Sequence, residues 1–497
     1  MRSILPFRQI VTAAAATLAL CGSPAAPAQN TSELDQLKSA VSSMEQTIQE
    51  LKNKIRELEQ RQAPSTHPAT ATPSAPVAPA STVPVTASID AATSTPTSPK
   101  PGDLSDRDSV MRHRETVLDD NSAAPRPGNA PMDPTYKGFM PLFGTRTWIR
   151  LGGYAKVDAI ADSDRLGNPN KFVTASIPVE GEADYAKSEE FNLHAKQTRL
   201  NLELRTPTPV GSLRVVYEND FFGSSTSPDM SYNLRHFYGQ LANITVGQTW
   251  STFFDPDAIP DTLDFAGPGM QSVVRQPQFR YTFAPKHTHH HFAIAAEQPK
   301  SDIGHLPSTG TTRNVLPDFA GHWRWEGPRG HLQVGGLARA LAYDNSAGHD
   351  DTAFGWGANV SGVVHTWGQD GIVARFTYGD GIGRYVQDLP GSSSAVALAS
   401  GELETVPAWG AMLGYRHFWN DHWRSEFTYG YLELDGLAEM GPKAYDHTHY
   451  AQANLVWAPA KNFYVGLEYL FGIKGTADNS EGDAHRLQLS LQYKLAP

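Results

Sequence analysis

The chain has 497 residues and a mass of 54.1 kDa, with 19% charged and 10% aromatic residues, 42 glycines and a mean hydropathy of −0.40. No run of 18 or more apolar residues occurs, which excludes a membrane-spanning helix but not a transmembrane β-barrel, whose strands are only half apolar. The net charge of −11 argues against a general nucleic-acid binder, and the single cysteine, Cys21, excludes a disulfide framework and a cysteine metal site.

Residues 1–28 read as a signal peptide. Arg2 and Arg8 give a positive start, residues 10–20 (IVTAAAATLAL) an apolar core, and Ala26-Pro27-Ala28 a small-residue cleavage site. A lipoprotein reading through Cys21 is disfavoured because Leu20 stands where a small residue is required.

Residues 29–62 read as a periplasmic coiled coil. Leu34, Leu37, Val41, Met44, Ile48, Leu51, Ile55 and Leu58 alternate spacings of 3 and 4 over four heptads. One helix cannot bury such a seam alone, so the segment predicts oligomerisation; the alternative is a helix docked on its own chain. Residues 63–135 form a linker and extension. Of the 40 residues 63–102, 32 are Pro, Ala, Thr or Ser, a composition that cannot bury a core.

From about residue 136 to 497 the period changes to two, and the fold class is all-β. In 486–495, Leu487, Leu489, Leu491, Tyr493 and Leu495 alternate with Arg486, Gln488, Ser490, Gln492 and Lys494. Sixteen such segments are predicted, at 148–160, 190–206, 211–222, 232–242, 244–251, 273–284, 288–298, 315–326, 329–344, 351–366, 369–380, 405–419, 421–434, 444–457, 461–473 and 484–495. Tight connections alternate with longer ones, and aromatics (Trp325, Trp367, Trp419, Trp423, Trp457, Phe463) cluster at the tight ones. This is the pattern of a 16-stranded antiparallel outer-membrane barrel, wide enough for an aqueous channel. A soluble two-sheet sandwich would not produce the turn asymmetry.

If the polar face is the lumen, it carries the bases Arg150, Lys156, Arg199, Arg205, Arg214, Arg280, Arg324, Arg339, Arg375, Arg416, Arg424, Arg486 and Lys494, and the acids Asp158, Glu203, Glu218, Asp220, Glu297, Asp318, Glu326, Glu426 and Glu468. Thirteen bases against nine acids in an acidic chain predict a pore that favours anions, unless the arginines are silenced by lumen acids. The predicted pore liners are Lys156, Arg199, Arg205, Arg280, Arg339 and Arg375. The connection 252–272 (TFFDPDAIPDTLDFAGPGMQS) is long and partly apolar, and its Asp255, Asp257, Asp261 and Asp264 predict a constriction loop folded inward, with acids facing wall arginines across a narrow pore. The alternatives are a loop on the rim or on a neighbouring subunit, or a calcium loop, for which the EF-hand spacing is missing.

These residues resemble those of the DcaP-like outer-membrane porins. The resemblance lies in FMPLFGTRTWIRLGGYAKVDAI (139–160), FNLHAKQTRLNLELRTPTPVGSLRVVYENDFFG (191–223), GQLANITVGQTWSTFFDPDAIPDTLDFAGP (239–268) and VRQPQFRYTF (274–283), and in a coiled coil before the barrel. It implies a trimeric 16-strand diffusion channel of the cell outer membrane, set in lipid and lipopolysaccharide, for small anionic solutes such as dicarboxylates. The matching stretches contain Arg199, Arg205, Arg280 and the acids of 255–264. The chain departs from many outer-membrane proteins in ending Leu495-Ala496-Pro497 instead of on an aromatic residue.

Two rival classes compete with the channel reading. An outer-membrane enzyme would need a catalytic constellation. His289-His290-His291 invites a metal reading, but alternate histidines on a strand face opposite sides, and no nucleophile elbow or HExxH occurs. No catalytic residue, metal or cofactor is therefore expected. A purely structural anchor, tied to the periplasm by the coil, fits poorly with a barrel of this width.

Overall fold

The computed structural model describes residues 123–125 and 138–495, apart from 225, 228, 286–287, 307–309, 346–348, 390 and 392. The signal peptide, the coiled-coil seam from Leu34 to Leu58 and all of the linker and extension except 123–125 lie outside the described residues.

Sixteen antiparallel strands close into a barrel. They are β1 (Trp148–Asp162), β2 (Glu190–His194 with Arg199–Thr208), β3 (Gly211–Asp220), β4 (Asn233–Leu241), β5 (Ile244–Trp250), β6 (Arg275–Phe283), β7 (His290–Glu297) and β8 (Asp318–Gly327). The second half comprises β9 (Gly330–Asn345), β10 (His349–His365), β11 (Gly371–Asp380), β12 (Pro407–Asn420), β13 (Trp423–Leu434), β14 (Tyr445–Ala460), β15 (Phe463–Thr476) and β16 (Glu481–Lys494). Each pairs with its neighbours in sequence, and β1 pairs with β16 from Tyr154↔Lys494 to Asp162↔Arg486. Closure satisfies the backbone of every spanning strand without water, the condition for crossing hydrocarbon.

The alternation puts apolar side chains outside. Leu200, Phe279, Tyr281, Phe376, Leu413 and Leu467 are exposed on the outer surface, whereas their neighbours Arg199, Arg280 and Arg375 are buried inside. An arginine on the lipid side near the midplane would cost about 2–4 kcal/mol, so the polarity of the strands fixes which face turns inward. Trp325, Trp367, Trp419, Trp423 and Trp457 are exposed near the tight turns, and Trp423 and Trp457 stack with centroids 5.8 Å apart. They form the aromatic girdle of one interface.

The ladder departs from the predicted strands in four places. β9–β10 and β15–β16 run on past their predicted ends, so their connections shrink to 346–348 and 477–480. Hydropathy alternation fades there because the pairing continues into the polar residues Asp344↔Asp350 and Gly475↔Glu481. β2 is interrupted at 195–198 by a turn in which Thr198 N–H donates to the Ala195 carbonyl, and Lys196 and Gln197 are both buried. The β3–β4 register shifts between Glu218 and Asn219, a bulge that turns Arg235 and His236 inward together.

Candidate functional site: the lumen and its loop

The loop that follows β5 lies inside the barrel. It is fixed at its root by Glu297 of β7, which accepts hydrogen bonds from Ser251 Oγ at 2.7 Å and Thr252 N–H at 2.6 Å. The backbone then sweeps along the inner wall. Arg375 Nη2 donates to the carbonyls of Asp255 and Ala258 at 2.8 and 3.1 Å, with its guanidinium 4.8 Å from the Phe254 ring centroid. Further on, Glu468 of β15 accepts from Leu263 N–H and Asp264 N–H, both at 2.9 Å, and Lys156 Nζ donates to the Leu263 carbonyl at 2.5 Å.

Wall glycines seat the loop's apolar side chains. A Cβ on Gly357 would meet the Phe253 ring at 3.4 Å, one on Gly466 would meet Leu263 at 2.6 Å, and one on Gly410 would meet Met270 at 2.7 Å. Inward glycines in strands read from sequence as merely small; here they are sockets.

All four loop carboxylates are buried, and each touches a wall arginine directly. Asp255 accepts from Arg324 Nη1 at 2.9 Å and Ser361 Oγ at 2.9 Å, and lies 2.8 Å from His331 Nε2. Asp257 accepts from Arg324 Nη2 at 2.7 Å and Asp261 from Arg424 Nε at 2.7 Å. Asp264 lies 3.4 Å from Arg486 and caps Phe172 N–H at 2.9 Å. Burial opposes ionisation of Asp255, but the neighbouring His331 and Arg324 hold its carboxyl well below the usual range. The loop is thus folded inward, but its acids meet the arginines in contact pairs, with no gap between them.

The six predicted pore liners all face inward and are buried. Arg375, Arg280 and Lys156 hold the loop or its root; Arg280 Nη2 donates to the Trp250 carbonyl at 2.5 Å. Arg205 donates to Glu203 at 2.6 Å, a carboxylate shared with Arg214 at 2.9 Å and Arg150 at 2.8 Å. Arg339 ties two outer loops to the wall through Asp302 at 3.0 Å and the Gly381 carbonyl at 2.8 Å. Arg199 lies 3.6 Å from Glu218 and 5.2 Å from the Tyr154 ring centroid. The histidine run divides as expected for a strand, with His290 outside against Trp323 and His291 buried inside.

The polar contacts of residues 255–264 fall on every strand from β8 to β16 and on β1. The arc from β2 to β6 carries a separate group of cations. Arg235 pairs with Glu218 at 2.8 Å and Asp220 at 2.9 Å, and Arg275 lies 4.4 Å over the Trp250 ring, within electrostatic reach of Arg235, Arg199, Asp220 and Glu218. Lys171, from the β1–β2 loop, sits 5.0 Å from the Phe222 ring and 4.9 Å from the Phe265 ring. Burial, and next the neighbouring Arg275, bring its ammonium down to about 8. Sequence reading missed Arg235 because the bulge breaks parity, Arg275 because it heads its strand on the outward parity, and Lys171 because nothing in a loop sequence says that it folds inward.

A profile of the family described as DcaP outer membrane protein matches residues 126–495. The chain belongs to the DcaP family. The solved structure of the outer membrane channel DcaP of Acinetobacter baumannii is 24% identical, covering 72% of this chain and 100% of that one with a TM-score of 0.63. An anion-selective porin from Comamonas acidovorans is 10% identical, covering 70% of this chain and 100% of that one with a TM-score of 0.49. No curated protein is significantly similar to the chain in sequence. Family and fold make this DcaP protein an outer-membrane β-barrel of porin type, and both point to a channel rather than an enzyme.

Proposed function

We propose that this DcaP protein is a homotrimeric porin through which small hydrophilic anions diffuse passively, dicarboxylates being the favoured class. Residues 1–28 direct export, and the coil of residues 29–62 stands in the periplasm and supports the trimer. The observation that carries the selectivity is the division of charge inside the barrel. The loop acids are consumed by wall arginines, while Lys171, Arg199, Arg235 and Arg275 gather around Glu218 and Asp220 on the β2–β6 arc, Asp264 reaching Lys171 from the loop. Among the described residues, these four cations outnumber the carboxylates around them and leave excess positive charge on this side of the lumen. Such charge in a confined, partly desolvated passage lowers the barrier for anions. Guanidinium forks suit carboxylates bidentately, and aromatic faces beneath them give the carbon chain an apolar rest.

The test is the reversal potential of single channels in a salt gradient, with a dicarboxylate as competing permeant. The Arg199→Gln, Arg275→Gln double variant is expected to trimerise and to lose most of the anion preference. An unchanged reversal potential would move selectivity elsewhere in the lumen.

A further inference from the structure

The described piece of the extension, Ala123-Ala124-Pro125, lies inside the barrel. Ala124 is 0% exposed and Ala123 3%. The Ala123 carbonyl accepts from Tyr238 Oη at 2.7 Å, and the Ala124 carbonyl accepts from Arg214 Nη1 at 3.3 Å. Ala123 packs with Val216 and Tyr238, and Ala124 with Trp250 and Phe254. Pro125 borders a small cavity shared with Arg280 and Arg324.

Two features give this placement a meaning. Arg214 stands three residues beyond Gly211, the first residue of β3 after a tight turn, so the peptide occupies the half of the lumen on the tight-turn side. Its partners belong to β3, β4 and β5 and to the loop's Phe254, so it fills the same arc that carries the excess cations, nearer the tight turns. The chain presents only the small side chains of Ala-Ala-Pro to Tyr238, Trp250 and Phe254.

We propose that residues 123–125 are a built-in stopper that narrows the passage and occupies Arg214 and Tyr238, two groups that a permeating anion would otherwise meet. This rests on the porin reading. Among the described residues, two hydrogen bonds and two buried methyl groups hold residues 123–125, a weak latch, so the stopper leaves and returns. Wild-type channels therefore switch between two conductance levels, and the upper level is the more anion-selective because the Arg214 nitrogen held by Ala124 then turns to the lumen while the rest of the guanidinium stays on Glu203.

The experiment uses the full chain. Ala124→Lys is too large for its socket and is repelled by Arg214, so the variant is expected to remain at the upper level. In parallel, Ala124→Cys and Asp421→Cys, the latter exposed on a tight turn, are alkylated with a membrane-impermeant maleimide. The Ala124→Cys rate is expected to be about tenfold lower or less, as for a group reached only through local opening. Equal alkylation rates, or an Ala124→Lys channel with wild-type levels, overturn the stopper. If wild type and variant alike fail to conduct, the porin reading falls, and the alkylation ratio still decides where residues 123–125 reside.

Discussion

Arg375 Nη2 donates to the main-chain carbonyl of Asp255 across 2.8 Å, so a lumen-facing guanidinium is committed to the loop and not to a passing solute. A hydrogen bond from a charged donor contributes about 1.5–3 kcal/mol. Arg375→Gln is therefore expected to leave the barrel folded but to loosen the loop. Open-channel current noise should rise while the reversal potential stays near the wild-type value. A large selectivity change with quiet current would mean that Arg375 meets the permeating ion.

The loop carboxylates are tied to folding as much as to permeation. Replacing Asp255, Asp257, Asp261 and Asp264 together by Asn strips Arg324, Arg424 and Arg486 of loop partners. Breaking one partner out of a buried pair costs about 3–5 kcal/mol. The quadruple variant should give little heat-modifiable barrel on gels. Asp257→Asn alone should fold, since Arg324 keeps Asp255 at 2.9 Å and Glu326 at 2.7 Å. Equal yields of the two would show that the contact pairs contribute little.

Lys171 gives the channel a pH dependence. Burial and Arg275 bring its pKa down to about 8, so its charge is present below that value and lost as pH rises through it. Anion preference should fall between about pH 7 and 9, a range in which an ordinary lysine stays charged. Lys171→Met should show the reduced preference already at the lower pH and no further change. Reversal potentials measured across that range check both statements.

Leu263 occupies the space above Gly466, where an added Cβ would come within 2.6 Å. Overpacking a fitted site costs about 1–3 kcal/mol. Gly466→Val is expected to push the loop off the wall and raise conductance, and Leu263→Ala in the same chain should restore the wild-type value. A Gly466→Val channel identical to wild type would show that the loop adapts to the added methyls.

The barrel was legible because its period-two signal is physical: each strand must show one face to lipid and one to water, as Leu487 to Leu495 do against Arg486 to Lys494. Strand count and the inward facing of Arg199, Arg280 and Arg375 follow from that alternation. The loop's inward fold was foreseeable from its apolar and acidic residues. Its contact pairing was not, because spacing along a chain carries no distance across a lumen. Arg235 escaped because a bulge defeats parity, and the two interior alanines escaped because Ala-Ala-Pro in a polar extension reads as spacer.

The glycine sockets invert the usual relation between position and tolerance. In a water-soluble core, an interior residue resists replacement because it fills space; Gly357, Gly410 and Gly466 resist because they leave space. On the outer face, lipid chains conform to any apolar outline, so Leu, Phe and Val should interchange there with little effect. A complete substitution map of this barrel would be inside out, permissive where side chains are largest and most exposed, and strict at wall positions that have no side chain at all.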